Sequence, residues 1–416
     1  GEGHAFISAG VETVSRFAKG NTDGWPDTKN PFYADAMART DQAATGATEW
    51  HDPREDGNIP DVYIAMGQTA ENVALHTGIS REDQDHWGVR SQNKAEEAIN
   101  NGFFAREIAP VTLPDGTVVS NDDGPRAGTT YEKVSQLKPV FRPNGTVTAG
   151  NACPLNDGAA AVVIMSDVRA KELGLTPLAR IVSTGVSGLS PEIMGLGPIE
   201  AVKKALANAG MAIGDVDLYE INEAFAVQVL ASARALGMDE DRLNVSGGAI
   251  ALGHPFGMTG ARITATLLNN LQTYDKTFGI ETMCVGGGQG INDITDNKVL
   301  ATLLKYDSSR RISRYSQTRV TVRPIAMPHA AFSGAPARII WSAASKSIRK
   351  LNAANPMHSS EKPMASMPPD RRPRPSPPPT PNTASRKFTS MSATTPNRPA
   401  MIIRVNFGVT RMAPVL

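Results

Sequence analysis

Between about residue 179 and residue 285 the chain alternates short apolar, β-branched runs with amphipathic stretches, most of them closed by a glycine. Residues 179–183 read as a strand. Pro198 opens a helix on which Val202, Leu206 and Ala209 recur at helical spacing, and Gly210 ends it. Residues 216–221 form the next strand, 224–236 a helix closed by Gly237, and 244–246 a short strand. Ile263, Leu267, Leu268 and Leu271 define the apolar face of a further helix. Residues 280–285 are a last strand, running into Gly286-Gly287-Gly288-Gln289-Gly290. Such alternation commits the chain to an α/β fold with a mostly parallel sheet covered by helices.

Upstream, residues 24–150 are rich in turns around one strong helical run, 81–101, ended by Gly102. They read as a loop-rich insertion over a sheet edge. Residues 157–165 form a buried-type strand that resumes the core.

Composition breaks the chain near residue 291. Residues 1–291 hold 22 basic and 36 acidic side chains, and residues 292–416 hold 20 and 5. Only 2 of the 37 glycines but 16 of the 30 prolines lie in that second part. A segment of that kind, with Arg-Arg-Pro-Arg-Pro-Ser-Pro-Pro-Pro at 371–379, buries too little apolar surface to offset its ordering entropy, so mostly disorder is expected. It lacks the fold and interleaved aromatics of a nucleic-acid arm, and out-of-frame translation past residue 291 is the plainer reading. No apolar run approaches the roughly 20 residues that span a bilayer, so no membrane partner is expected. No secretory leader is visible at the opening Gly1-Glu2-Gly3-His4. Cys153 and Cys284, the only cysteines, exclude a disulfide framework and point to a reducing, cytoplasmic setting. The seven histidines show no metal-ligand spacing with them.

Three short pieces fall at loops after expected strands, where open α/β sheets bind ligands: Asn222-Glu223-Ala224-Phe225, Gly253-His254-Pro255 and Cys284-Val285-Gly286-Gly287. Each has a plainer reading. His254 can be a hydrogen-bonded loop histidine, Cys284 a small buried hydrophobe, and Asn222 the cap of the following helix. The glycine run at 286–290 fails the dinucleotide fingerprint, because no helix follows it.

Together these pieces resemble the thiolase family, the acyl-CoA C-acetyltransferases. The resemblance runs collinearly through residues 66–72 (Met-Gly-Gln-Thr-Ala-Glu-Asn), 150–160, 194–198, 222–226, 247–262 and 284–290. It implies two similar βαβαβαββ halves. The first is incomplete and interrupted by the loop-rich insertion, and the second lacks its last strand. The expected division is 1–23 as a remnant of the N-terminal half, 24–155 as the inserted loop domain and 156–178 as that half's last strand. Residues 179–291 are then the C-terminal half and 292–416 the tail.

The resemblance also implies a chemistry of acyl transfer between a β-ketoacyl-CoA and CoA, which the bulkier Phe256 and Met258 suit to degradation. His254 would activate the nucleophilic cysteine, and Cys284 would shuttle a proton. Asn222 and His254 would polarise the thioester oxygen, and the Gly286 amide would serve a second oxyanion hole. Cys153, Met66, Met194 and Phe225 would line the CoA and acyl groove. No metal or cofactor is implied beyond CoA as substrate, and a homodimer or homotetramer is expected. The family's nucleophilic cysteine would lie ahead of Gly1, so the alternative is an inactive acyl-CoA-binding remnant. A β-ketoacyl synthase is disfavoured, since that branch lacks the Cys-x-Gly-Gly-Gly turn.

Overall fold

A computed structural model describes residues 3–16, 28–46 and 49–298, and the backbone of two strands at 400–405 and 411–412. In chain order the strands are β1 (Ala5–Thr13), β2 (Val111–Thr112), β3 (Val118–Val119), β4 (Asn156–Ser166), β5 (Arg180–Gly188), β6 (Leu218–Ile221), β7 (Phe278–Val285), β8 (Gln289–Asp296), β9 (Ala400–Val405) and β10 (Arg411–Met412). The helices are α1 (Ala34–Ala44), α2 (Met66–Thr77), α3 (Arg81–Asn100), α4 (Tyr131–Val134), α5 (Asp167–Glu172), α6 (Gly197–Ala209), α7 (Ala226–Leu236), α8 (Ala249–Leu252) and α9 (Thr259–Thr273).

Residues 180–296 trace β5–α6–β6–α7, a single parallel bridge from Tyr219 to Leu243, then α9–β7–β8. That is the βαβαβαββ order expected for one half, with its third strand reduced to one residue pair. The expected strand at 244–246 is a turn instead. Asn244 sits at φ 48° and Gly247 at φ 81°, a left-handed backbone no strand can use. The helix stops are as expected, for Gly210 and Gly237 both take the left-handed cap conformation.

Two corrections concern the sheet. Its order is β1-β4-β9-β5-β8-β7-β6, with β10 also on β4. β8 is therefore present, antiparallel to both β5 and β7, so the second half keeps its closing strand. The boundary expected at residue 291 falls inside that strand. Because β8 is reversed between two parallel neighbours, only β6 and β7 form a parallel pair of adjacent strands in the sheet. The sheet is mixed rather than mostly parallel.

The expected disorder of the tail is contradicted at 292–298, most of which belongs to β8, and otherwise concerns residues that lie outside the described ones, except for β9 and β10. β9 pairs antiparallel with β4 along six residues and touches β5 at Arg180, and β10 pairs with the start of β4.

Strand alternation divides the core between two faces. Tyr219 and Ile221 of β6 join Val202, Leu206, Val227 and Leu230 of α6 and α7, while Leu218 packs with Leu267, Leu268 and Leu271 of α9. The inserted segment was expected over a sheet edge. Instead α2 and α3 pack on α7, and Val73 and Trp87 are buried in the same cluster as Tyr219. Glu192, in the 191–196 turn, also holds the insertion, accepting from Trp50 Nε1 at 2.8 Å and the Asp61 amide at 2.8 Å and, through its carbonyl, from Asn72 Nδ2 of α2 at 2.9 Å. An amphipathic helix with a second helix to cover has no reason to seek an edge.

Candidate active site

The end of β6 carries Asn222 into the site. Its amide N–H donates to the Thr282 carbonyl at 3.0 Å, extending the parallel ladder, and its side chain is buried. Neither its Oδ1 nor its Nδ2 has a protein partner. Capping does not explain it. α7 begins at Ala226 with Phe225 in the cap position, its amide donating to Gln228 Oε1 at 3.4 Å. A buried amide with both ends unpaired is costly unless water or a ligand completes it.

Glu223, which follows, was not singled out from the sequence. Fully buried, it accepts from Trp87 Nε1 (3.1 Å), Ser91 Oγ (2.5 Å), Asn244 Nδ2 (2.8 Å) and the Ile250 amide (3.1 Å). One carboxylate thus locks α3, the 244 turn and the start of α8 around the β6 terminus. Gly248 has to be glycine, because a Cβ there would strike the Glu223 carboxylate. No local pattern marks Glu223, since its donors come from residues 87 to 250.

Residues 151–158 join the other pieces. The Cys153 amide donates to the Ala224 carbonyl at 3.0 Å, and the Ala226 amide to the Asn151 carbonyl at 2.8 Å. Farther along, Asn156 lies directly under Gly253, whose φ is 90°, and Gly158 lies beside Pro255. Both polar ends of the buried Asn156 side chain lack a protein partner too. The 222–225 and 253–255 loops therefore share one supporting segment.

His254 is half-buried. Its Nδ1 lies 2.7 Å from Thr259 Oγ1, and its ring meets Phe256 edge-on at 5.0 Å between centroids. Burial, then the positive charge of Arg262, push the imidazole down to about 4. Phe256 itself is 60% exposed. Arg262 pairs with buried Glu220 at 3.3 Å.

Cys284 is buried one residue before the end of β7, opposite Gly290. Burial pushes its thiol up to about 11. Burial likewise pushes Cys153 up to about 12, with the charge of Cys284 adding to the shift, so the two thiols are within electrostatic reach. Gly286 is exposed in the β7–β8 turn, whose Gly287 and Gly288 have φ of 84° and 85°.

The remaining expected contacts are unequal. Phe225 meets the Phe141 ring edge-on at 6.2 Å, and Phe141 in turn lies against Gly67 at the start of α2. That places Met66, 39% exposed, near the same wall. Met194 is buried in the core, in the segment that ties to the glycine turn through Leu189 N–H to Gly288 O at 2.8 Å. It supports the turn rather than presenting a free surface. Among the described residues no group of three or more His, Cys, Asp or Glu side chains could hold a metal ion. Nor is any described helix long and apolar enough to cross a membrane.

Comparison with known proteins gives a consistent result. Residues 1–168 match the thiolase N-terminal domain and residues 175–297 the thiolase C-terminal domain. The acetyl-CoA acetyltransferase of Escherichia coli strain K12 is 45% identical over 295 residues, covering 70% of this chain and 72% of that protein. The 3-ketoacyl-CoA thiolase of Bacillus subtilis strain 168 is 46% identical over 243 residues, 56% of this chain and 62% of that one. The acetyl-CoA acetyltransferase of Thiocystis violacea is 51% identical over 230 residues, and the match spans only 58% of its length. Among solved structures, the dimeric peroxisomal thiolase of Saccharomyces cerevisiae superposes with a TM-score of 0.62 at 37% identity, covering 71% of this chain and 70% of that chain. Human mitochondrial 3-ketoacyl-CoA thiolase gives 0.58 at 38% identity, with 71% and 72% covered.

Proposed function

The chain belongs to the thiolase family, and we propose that its site serves acyl transfer between a β-ketoacyl-CoA and CoA. One observation carries the reading. The unpaired amide of Asn222, the His254 ring and the Cys284 thiol occupy loops and strand ends tied together by residues 151–158 and the β6–β7 ladder.

In the thiolytic direction a thiolate attacks the β-carbonyl carbon, the bond between C2 and C3 breaks, and its electron pair remains on C2 of the departing acetyl-CoA. Cys284, kept protonated at neutral pH by burial, is in the right state to give that carbanion its proton. CoA then attacks the acyl-enzyme thioester, and its proton passes to the Cys284 thiolate left by the first step, which restores the thiol. His254, held neutral by burial and Arg262, takes the proton of the nucleophilic thiol and returns it when that thiolate is released. Asn222, with water, and the Gly286 amide would face the developing oxyanions. CoA enters as substrate, and no further cofactor takes part.

Phe256 and the Phe225–Phe141 wall favour an apolar acyl group and a degradative direction. We place the protein in the cytoplasm, as a homodimer or homotetramer when assembled.

Residues 1–416 taken alone should not turn over. Neither thiol is suited to accept an acyl group, with Cys153 pushed up to about 12 and Cys284 to about 11. This supports the second reading, a site that binds acyl-CoA without catalysing thiolysis. Acetoacetyl-CoA cleavage in the presence of CoA separates the two. The expected rate equals buffer. A CoA-dependent rate lost on His254→Ala would show that a nucleophile is present, and Cys153→Ser would be the first variant to test.

A further inference from the structure

We propose that Thr259 is the positioning residue that selects the tautomer of His254, leaving Nε2 as the nitrogen that takes up the proton. The proposal rests on the thiolase reading for its purpose, though not for its geometry. Thr259 opens α9 and is fully buried. Its Oγ1 lies 2.7 Å from His254 Nδ1 and 2.9 Å from the Pro255 carbonyl oxygen.

A hydroxyl has one hydrogen to give, and a carbonyl oxygen can only accept. Both contacts are hydrogen bonds in one arrangement alone. Thr259 donates to Pro255, and His254 donates from Nδ1 to Thr259. In the other tautomer the hydroxyl turns to the bare Nδ1 and its bond to Pro255 is lost. The Pro255 oxygen would still accept from the Met258 amide at 3.0 Å, so the two arrangements differ by one hydrogen bond. A net bond of that kind favours the Nδ1–H form roughly fivefold.

The surroundings leave this choice to Thr259. Because burial and Arg262 keep the ring neutral, the two tautomers are the states in competition near neutral pH. The Phe256 ring covers one side of the imidazole with an apolar edge and offers no hydrogen bond. Pro255 has no N–H to compete for Nδ1. The spacing from His254 to Thr259 works because the chain turns into α9 between them, bringing the first helical residue back beside the ring.

The test reads the tautomer itself and does not need turnover. Residues 1–416 carrying isotope-labelled histidine are examined by long-range proton–nitrogen correlation, with the His254 signals identified by their loss in His254→Gln. The wild-type chain should show Nδ1 protonated and Nε2 bare in roughly fivefold excess. Thr259→Val should even out or reverse that ratio, and Thr259→Ser should restore it. A wild-type ring protonated mainly on Nε2, or a Thr259→Val ratio equal to wild type, overturns the proposal. Should Thr259→Val fail to fold, a Thr259→Ser ratio unlike that of wild type overturns it equally. Absence of Cys284-dependent exchange of the acetyl protons of acetyl-CoA, with this tautomer pattern intact, would count against the functional reading alone.

Discussion

His254 pays for its position in a way that a titration can read. Its folded value of about 4 lies below the ordinary 6.5, so the unfolded chain takes up the proton first as pH falls. The stabilisation is complete above about 6.5 and is lost between there and about 4, by up to about 3 kcal/mol. Urea midpoints measured across that window should fall more steeply for wild type than for His254→Gln. Equal slopes would mean that the ring is solvated. At this scale the sequence drew attention to Cys284 and Asn222 through short motifs at strand ends, and to His254 through its Gly-His-Pro loop, which lies between α8 and α9. It was silent about Glu223, Asn156 and Thr259. Glu223 is defined by four donors distant in sequence, and Asn156 by what it fails to bond.

Among the elements, α3, α6 and α7 were legible where a glycine or serine marked an end, whereas α2 and α5 were missed although Gly78 and Ser166 mark theirs. Gly210 and Gly237 stop α6 and α7 with positive φ, and Ser80 caps α3 through the Asp83 amide at 3.0 Å. β8 was missed for a physical reason. Asn292, Asp293, Thr295 and Asp296 look like a solvated loop, because strand patterns are recognised by apolar alternation. In the fold their backbone is paired on both sides, and Asp296 meets Arg180 at 2.9 Å. Ile294 is the one apolar anchor, fully buried in the main core cluster. Ile294→Ala should therefore cost about 2–5 kcal/mol, read from chemical denaturation. A loss below about 0.5 kcal/mol would mean that β8 adds nothing to the core. The insertion's place on α7 was equally invisible, since Val73 and Trp87 join the Tyr219 cluster only after folding.

At the scale of the whole molecule, the sheet's exposed apolar edge is β1 and not β7, whose Ile280, Met283 and Val285 stand between β6 and β8. Of the two end strands among the described residues β6 is buried, whereas β1 has Phe6 50%, Ile7 72% and Val11 65% exposed. An unpaired strand carrying such side chains templates association. Purified 1–416 should self-associate with rising concentration in light scattering, and Ile7→Lys should reduce it. A wild-type chain that stays monomeric at high concentration would contradict this.

The assembled site has its own direct test, because moving a proton at C2 of acetyl-CoA needs Cys284 and an oxyanion hole but no acyl-accepting thiol. Chain 1–416 in deuterated water should exchange the acetyl protons of acetyl-CoA faster than buffer does. The rate should rise with pH as the Cys284 thiol, at about 11, ionises. Asn222→Ala should lower it by about 10²–10³-fold, and Cys284→Ala should abolish it. Exchange no faster than buffer, or exchange that survives Cys284→Ala, would contradict the account.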